Sequence, residues 1–132
     1  MKQSLRMQIA YEIENQIRLK YHLVKPLTEV CDAVSKEEAY EIKALILKQS
    51  KRNGRAFIYI DNHNEFLKWS SENNLTPYYL FAVYYLVDIE PKIITVRIAP
   101  WELVNSLLYG EKNFQIGFNK ICILPEMISS EF

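Results

Sequence analysis

The chain has 132 residues, of which 49% are apolar and 24% charged, a composition that fits one globular domain and excludes a multidomain enzyme, a collagen-like repeat and a disordered tail. Sixteen basic residues balance sixteen acidic ones. Whole-molecule electrostatics therefore do not draw the protein onto nucleic acid or an anionic membrane, and any polyanion site has to be a local patch.

The N-terminal stretch MKQSLRMQIAYEIENQIR carries charge in every turn and lacks the continuous apolar run of a signal peptide, which gives the expectation of an intracellular, cytoplasmic protein. Leu5, Ile9, Ile13 and Ile17 recur every four residues, the spacing of an amphipathic helix over roughly residues 3 to 20. From Tyr21 the pattern becomes short apolar segments separated by turn-formers, which predicts two or three strands up to Ile46. FIYID reads as a further strand, and Asn62 with Glu65 resembles a capping box opening a helix to about residue 73. The run from Thr76 to Ile89 is apolar on both faces, as a central strand should be, and is too short and too polar at its edge to span a bilayer. Pro91 is read as part of a turn, IITVRI as the returning strand, and WELVNSLL after Pro100 as a short helix closed by Gly110. FQIGFNKICIL reads as a last strand. The expected fold is α/β (α+β), a mixed central sheet flanked by helices, forming a single domain over 1–132.

Chemistry concentrates in the hairpin from Thr28 to Ile46. A turn over Ser35 to Glu38 sets Asp32 opposite Glu41, where like charges repel, and period two puts Lys43 on the same face as Glu41. A divalent cation relieves that repulsion. Hard oxygen ligands suit Mg²⁺, or Mn²⁺ in its place, and Mg²⁺ takes only one or two protein carboxylates. A metal on Asp32 and Glu41, with Lys43 positioning water or stabilising developing charge, is a hydrolytic phosphodiester site. The acid-x-Lys tripeptide alone is no signal, because Glu90-Pro91-Lys92 repeats it; the weight lies in the upstream aspartate at the matching register. The plainer alternative is a solvent-facing strand with alternating charge.

A helix bearing a glutamate, then CDAV, YEIKA and a strand-helix-strand resembles the PD-(D/E)XK nuclease superfamily, which includes restriction endonucleases and archaeal Holliday junction resolvases. FIYIDNHNEFLKWSSENNLTPYYLFAVYYL is similar to the resolvase pattern, and the resemblance spans roughly residues 5 to 99. It implies a restriction endonuclease-like fold with Asp32 as the first-strand metal ligand, Glu41 as the acid of the second motif and Lys43 as its lysine. The helical glutamate that some members add to the metal shell falls on Glu12 or Glu14; Glu12 is carried as that third ligand, although the helix wheel sets both beside the apolar stripe. Cys31 stands where the superfamily has a proline.

Lys48, Lys51, Arg52 and Arg55 form the strongest local positive bias, with no acid from Ala44 to Ile60, and are candidates for phosphate contact. His63 reads as a surface or capping residue, the tyrosines of the central strand as core, and Cys31 and Cys122 as thiols in strands. No Cys/His cluster has zinc spacing, and there is no phosphate loop, dinucleotide fingerprint or serine elbow. The leading expectation is a Mg²⁺-dependent endodeoxyribonuclease acting on duplex or branched DNA, as a homodimer because two strands need two sites. The alternatives are a non-catalytic α+β protein-binding module, possibly from a phage or mobile element, and a nucleic-acid binder without the chemistry.

Overall fold

The computed structural model describes residues 4–48 and 54–128. Helix α1 (Leu5–Lys20) opens on Ser4, whose side chain accepts from the Met7 amide at 3.2 Å, and closes with Arg18 and Lys20 in its last turn, where cations complement the dipole. Its apolar stripe is buried at Ile13 and Ile17 and tapers outward, so that Leu5 is exposed.

Four strands form the main sheet in the order β1-β2-β4-β5: β1 (Ala33–Val34), β2 (Glu38–Ile46), β4 (Thr76–Val87) and β5 (Glu90–Pro100). β1 and β2 are antiparallel, with Ala33 opposite Tyr40 and Val34 opposite Ala39, the register expected from a turn over Ser35 to Glu38. β2 and β4 are parallel, so the chain crosses over between them through β3 (Ala56–Tyr59) and α2 (Ile60–Glu72). β4 and β5 form a hairpin around Asp88 and Ile89. A second sheet pairs β3 with β6 (Asn113–Ile116), and two short helices, α3 (Trp101–Leu107) and α4 (Phe118–Ile121), flank β6 in sequence.

The sheet is covered on both faces, which explains the unbroken apolar run of β4. Leu80 and Ala82 pack with Tyr40, Ile42 and Val96 against Ile13 and Ile17 of α1. Tyr79, Phe81 and Val83 pack the other way, with Leu45, Phe66, Val104, Leu108, Ile58 and Ile116. Alternation along β4 thus feeds two cores rather than one core and solvent. Arg97 on β5 fastens the C-terminal segment, donating from Nη1 to the carbonyls of Cys122 and Leu124 at 3.1 and 2.9 Å and pairing with Glu126 at 3.5 Å.

Several local expectations change. α2 starts at Ile60 with Tyr59 as its cap residue and no side-chain cap bond, so the Asn62/Glu65 box does not form; β3 runs straight into the helix and leaves no room for it. Pro91 lies in β5 opposite Leu86, tolerated because β5 is an edge strand. The turn falls on Asp88, whose φ is 58°. The tail is strand only to Ile116; after Gly117 the chain turns into α4, and Cys122 follows that helix. Cys31 lies just before β1. Among the described residues, no helix is long and apolar enough to cross a membrane.

Candidate active site

β1 is short, and its end creates the site. On the edge of β2 that faces β1, the Glu38 carbonyl accepts from Ser35 N–H and the Tyr40 carbonyl accepts from Asp32 N–H at 3.0 Å. The next group along that edge, the Ile42 N–H, has no strand left to pair with. The Asp32 carboxylate takes its place, with Oδ2 accepting from Ile42 N–H at 2.7 Å. A side chain thus continues the ladder, and the aspartate's orientation follows from an unpaired backbone donor. Its backbone is fixed as well, because Arg18 Nη1 donates to the Asp32 carbonyl at 2.8 Å.

The carboxyls of Asp32 and Glu41 interact directly, and burial raises the pKa of each. Glu41 is pushed up to about 8, first by burial, then by the negative charges of Asp32 and Glu14, with Lys43 opposing. The Asp32 carboxyl also lies above the ordinary carboxylate range because it is buried; the Ile42 amide and the charges of Lys43 and Arg18 pull it back. Cys31 beside the pair has its thiol pushed up to about 12 by burial and by both carboxylates, which makes it an inert core group.

The glutamate of α1 that joins this field is Glu14, not Glu12. Glu14 is raised to about 7 by burial and by Asp32, and it holds Arg18 at 3.7 Å, four residues on. Glu12 is exposed and its Oε1 accepts from Gln16 Nε2 at 3.2 Å. The correction has a helical cause: two residues apart on a helix is more than half a turn around the axis, so only one of the two can meet the sheet edge. Sequence reasoning also missed Arg18, although its spacing from Glu14 was a legible pair signal.

His63 is wholly buried rather than on the surface or at a cap. Its Nδ1 lies 2.8 Å from the Tyr79 hydroxyl and its Nε2 3.4 Å from Asn105 Oδ1, and burial lowers its pKa; in the tautomer whose Nε2–H donates to the Asn105 oxygen, Nδ1 accepts from the tyrosine. Tyr79 is the cross-strand partner of Glu41, and its own pKa is raised by burial and then by the Glu41 charge. The chain Asn105, His63, Tyr79 therefore braces the strand under Glu41 from the α2 and α3 side. Of the basic candidates, Lys48 and Arg55 are exposed at either end of the β2–β3 connection; Lys51 and Arg52 lie outside the described residues.

No family model and no curated protein matches the sequence. Among solved structures, the chain is similar to Hjc, a Holliday junction resolvase from the archaeal hyperthermophile Archaeoglobus fulgidus, with a TM-score of 0.56 at 13% identity over 98% of each chain. The fold is restriction endonuclease-like. In this fold, the short β1 leaves the edge of β2 beyond Tyr40 open, and the Asp32 carboxylate pairs there with the Ile42 amide.

Whether these residues suit a metal follows from their chemistry. Among the described residues, no group of three or more His, Cys, Asp or Glu side chains forms a ready cage, so neither Glu12 nor Glu14 completes a metal-holding set with Asp32 and Glu41. A cage is not what Mg²⁺ requires, since it keeps several waters and binds through one or two carboxylates. The pair Asp32 and Glu41 supplies hard oxygens, and burial, ahead of any neighbouring charge, raises the pKa of both. That donor set fits a divalent cation.

Proposed function

We propose that the chain is a metal-dependent DNA endonuclease that hydrolyses phosphodiester bonds, with Mg²⁺ or Mn²⁺ as its cofactor and Asp32, Glu41 and Lys43 at its centre. The observation that carries this reading is the half-buried Asp32–Glu41 pair at the end of β1, in a fold like that of a Holliday junction resolvase. Asp32 and Glu41 would hold the cation, with Glu14 close behind. When bound, the cation polarises a phosphoryl oxygen and lowers the pKa of a coordinated water.

The remaining work falls to the chain itself. The Ile42 amide keeps the Asp32 carboxylate oriented, and Arg18, anchored on Glu14, holds its backbone. Lys43 follows Glu41 by two residues on β2, so strand alternation puts its ammonium on the same face, where it counters both carboxylates and the charge that develops on an attacked phosphate. Lys48 and Arg55, with Lys51 and Arg52, take backbone phosphates of duplex or branched DNA. One site per chain and two strands per duplex make a homodimer the working assembly.

The test is cleavage of plasmid, linear duplex and branched DNA in Mg²⁺ or Mn²⁺ by wild type, Asp32→Asn and Lys43→Ala. Metal-dependent cleavage that disappears in both variants supports the reading. Binding without cleavage of any of these substrates transfers the chain to the non-catalytic reading, and cleavage that survives Asp32→Asn removes this site from the chemistry.

A further inference from the structure

Charge in this chain is neutral in sum but segregated in sequence. The segments 42–60 and 112–125 together hold seven of the sixteen basic residues and none of the sixteen acidic ones. Parts of these two segments, 56–59 and 113–116, pair as the β3–β6 sheet, with Phe57 opposite Gln115 and Tyr59 opposite Asn113. Arg55 and Lys112 adjoin it in sequence; Lys43 lies in β2, and Lys51 and Arg52 lie outside the described residues. Ala56, Ile58 and Ile116 face the core. The alternate positions face outward, and there Phe57 is 41% and Tyr59 49% exposed. Two aromatic side chains thus stand on an exposed strand face where solvation alone favours polar residues.

At the Arg55 end of this face lies an open groove of about 480 Å³, lined by Arg55, Gln115, Asn119 and Lys120 among others and by no acid. Gln115 belongs to both the groove and the outward face. The acid-free segment that supplies β3 begins immediately after Glu41, so one continuous stretch of chain links the proposed reaction centre to this surface.

We propose that the outward face of β3–β6 and its groove bind a nucleic-acid strand with unpaired bases, phosphates being held by Arg55 and Lys120 and bases stacking on Phe57 and Tyr59. The chemistry of the surface selects this occupant. Cations without acids attract a polyanion, amide side chains bond bases or sugars, and an exposed aromatic gains from a base's π-face, which a paired and stacked duplex does not offer. The proposal rests on the nuclease reading and narrows its substrate class to DNA carrying a single-stranded segment.

Binding is measured by fluorescence anisotropy in EDTA, so that cleavage plays no part, with a labelled single strand, the blunt duplex of the same sequence, that duplex bearing a single-stranded arm, and an RNA single strand. Wild type is expected to prefer the strand and the armed duplex over the blunt duplex. Phe57→Ala with Tyr59→Ala abolishes the preference, costing roughly 5- to 150-fold per stacked base on the unpaired substrates, whereas Phe57→Trp keeps it. Arg55→Ala with Lys120→Ala weakens binding to all substrates and flattens its salt dependence. Thermal melts and size-exclusion mass measurements accompany each variant. Equal wild-type affinity for strand and blunt duplex, or full affinity in the aromatic double variant, overturns the proposal. A change in oligomeric mass with unchanged DNA affinity also overturns it and assigns the face to contact between copies. Preference without cleavage defeats the nuclease reading alone, and cleavage with normal binding by the aromatic variant defeats this proposal alone. Equal preference for the RNA strand widens the substrate class and keeps the surface.

Discussion

Asp32 and Ile42 are joined by a hydrogen bond of 2.7 Å from the Ile42 amide to the aspartate Oδ2, so one carboxylate both completes a strand edge and faces the proposed reaction centre. The two duties separate by mutation. In Asp32→Asn the amide oxygen still accepts from Ile42 while the charge opposing Glu41 is gone; the melting temperature is expected to hold or rise as metal-dependent cleavage disappears. In Asp32→Ala the Ile42 N–H is left unpaired, at a cost of about 1–3 kcal/mol. Denaturant melts of the two variants check the difference, and equal destabilisation would show that the hydrogen bond is not what orients this residue.

Glu41 and Glu14 set a pH dependence. Their pKa values rise in the folded state from 4.5 to about 8 and about 7. Each binds its proton more tightly folded than unfolded, so its effect on the fold is most favourable at low pH, below the unfolded value. Stability is lost as pH rises from about 4.5 through the folded values, at a limiting slope near 1.4 kcal/mol per pH unit for each group. Thermal melts between about pH 5 and about pH 9 should show this decline, and Glu41→Gln should flatten it. A wild-type stability that climbs across the interval, or a variant that declines as steeply, contradicts the burial of these charges.

Glu14 and Glu12 lie two positions apart and are expected to behave differently. Glu14→Gln removes the anchor of Arg18 and one charge of the carboxylate field, and should lower cleavage at least about 10-fold, a loss near 1.4 kcal/mol. Glu12→Gln removes an exposed partner of Gln16 and should leave cleavage within about twofold of wild type, since solvent-exposed contacts of this kind contribute little. Parallel single-turnover rates decide it; equal losses would return Glu12 to the site.

Ser70 in α2 is fully buried, and its hydroxyl has no hydrogen-bond partner among the described residues. An unpaired buried hydroxyl costs free energy, and alanine is the better helix former. Ser70→Ala is therefore expected to stabilise the protein by about 0.5–1 kcal/mol, read from the denaturant midpoint at unchanged slope. A lower midpoint would mean that the hydroxyl is satisfied after all.

Legibility in the sequence followed the range of the interaction. α1 was readable from its four-residue stripe, β4 from apolar positions at both parities, and the Ala33–Tyr40 and Val34–Ala39 register from the length of one turn. The start of α2, the strand position of Pro91 and the helical turn after Gly117 were not, because each depends on which strand lies alongside. His63 shows the same limit. Its neighbours in sequence are polar, and only the packing of α2 over Tyr79 and Asn105 makes it a core residue.

What the sequence determined by itself was the inventory and its local spacing: an acid facing an acid across a short hairpin, a lysine two positions on, and two segments without negative charge. Periodicity and turn length act over a few bonds and need no knowledge of the rest of the chain. The tertiary structure decided which helical glutamate reaches the pair, which arginine clamps the aspartate's backbone, and that β3 and β6, one from each acid-free segment, become neighbouring strands. Those outcomes depend on how a helix is rotated against a sheet and on pairings between residues about sixty positions apart. Such contacts are selected by burial of the whole core, and no local pattern encodes them.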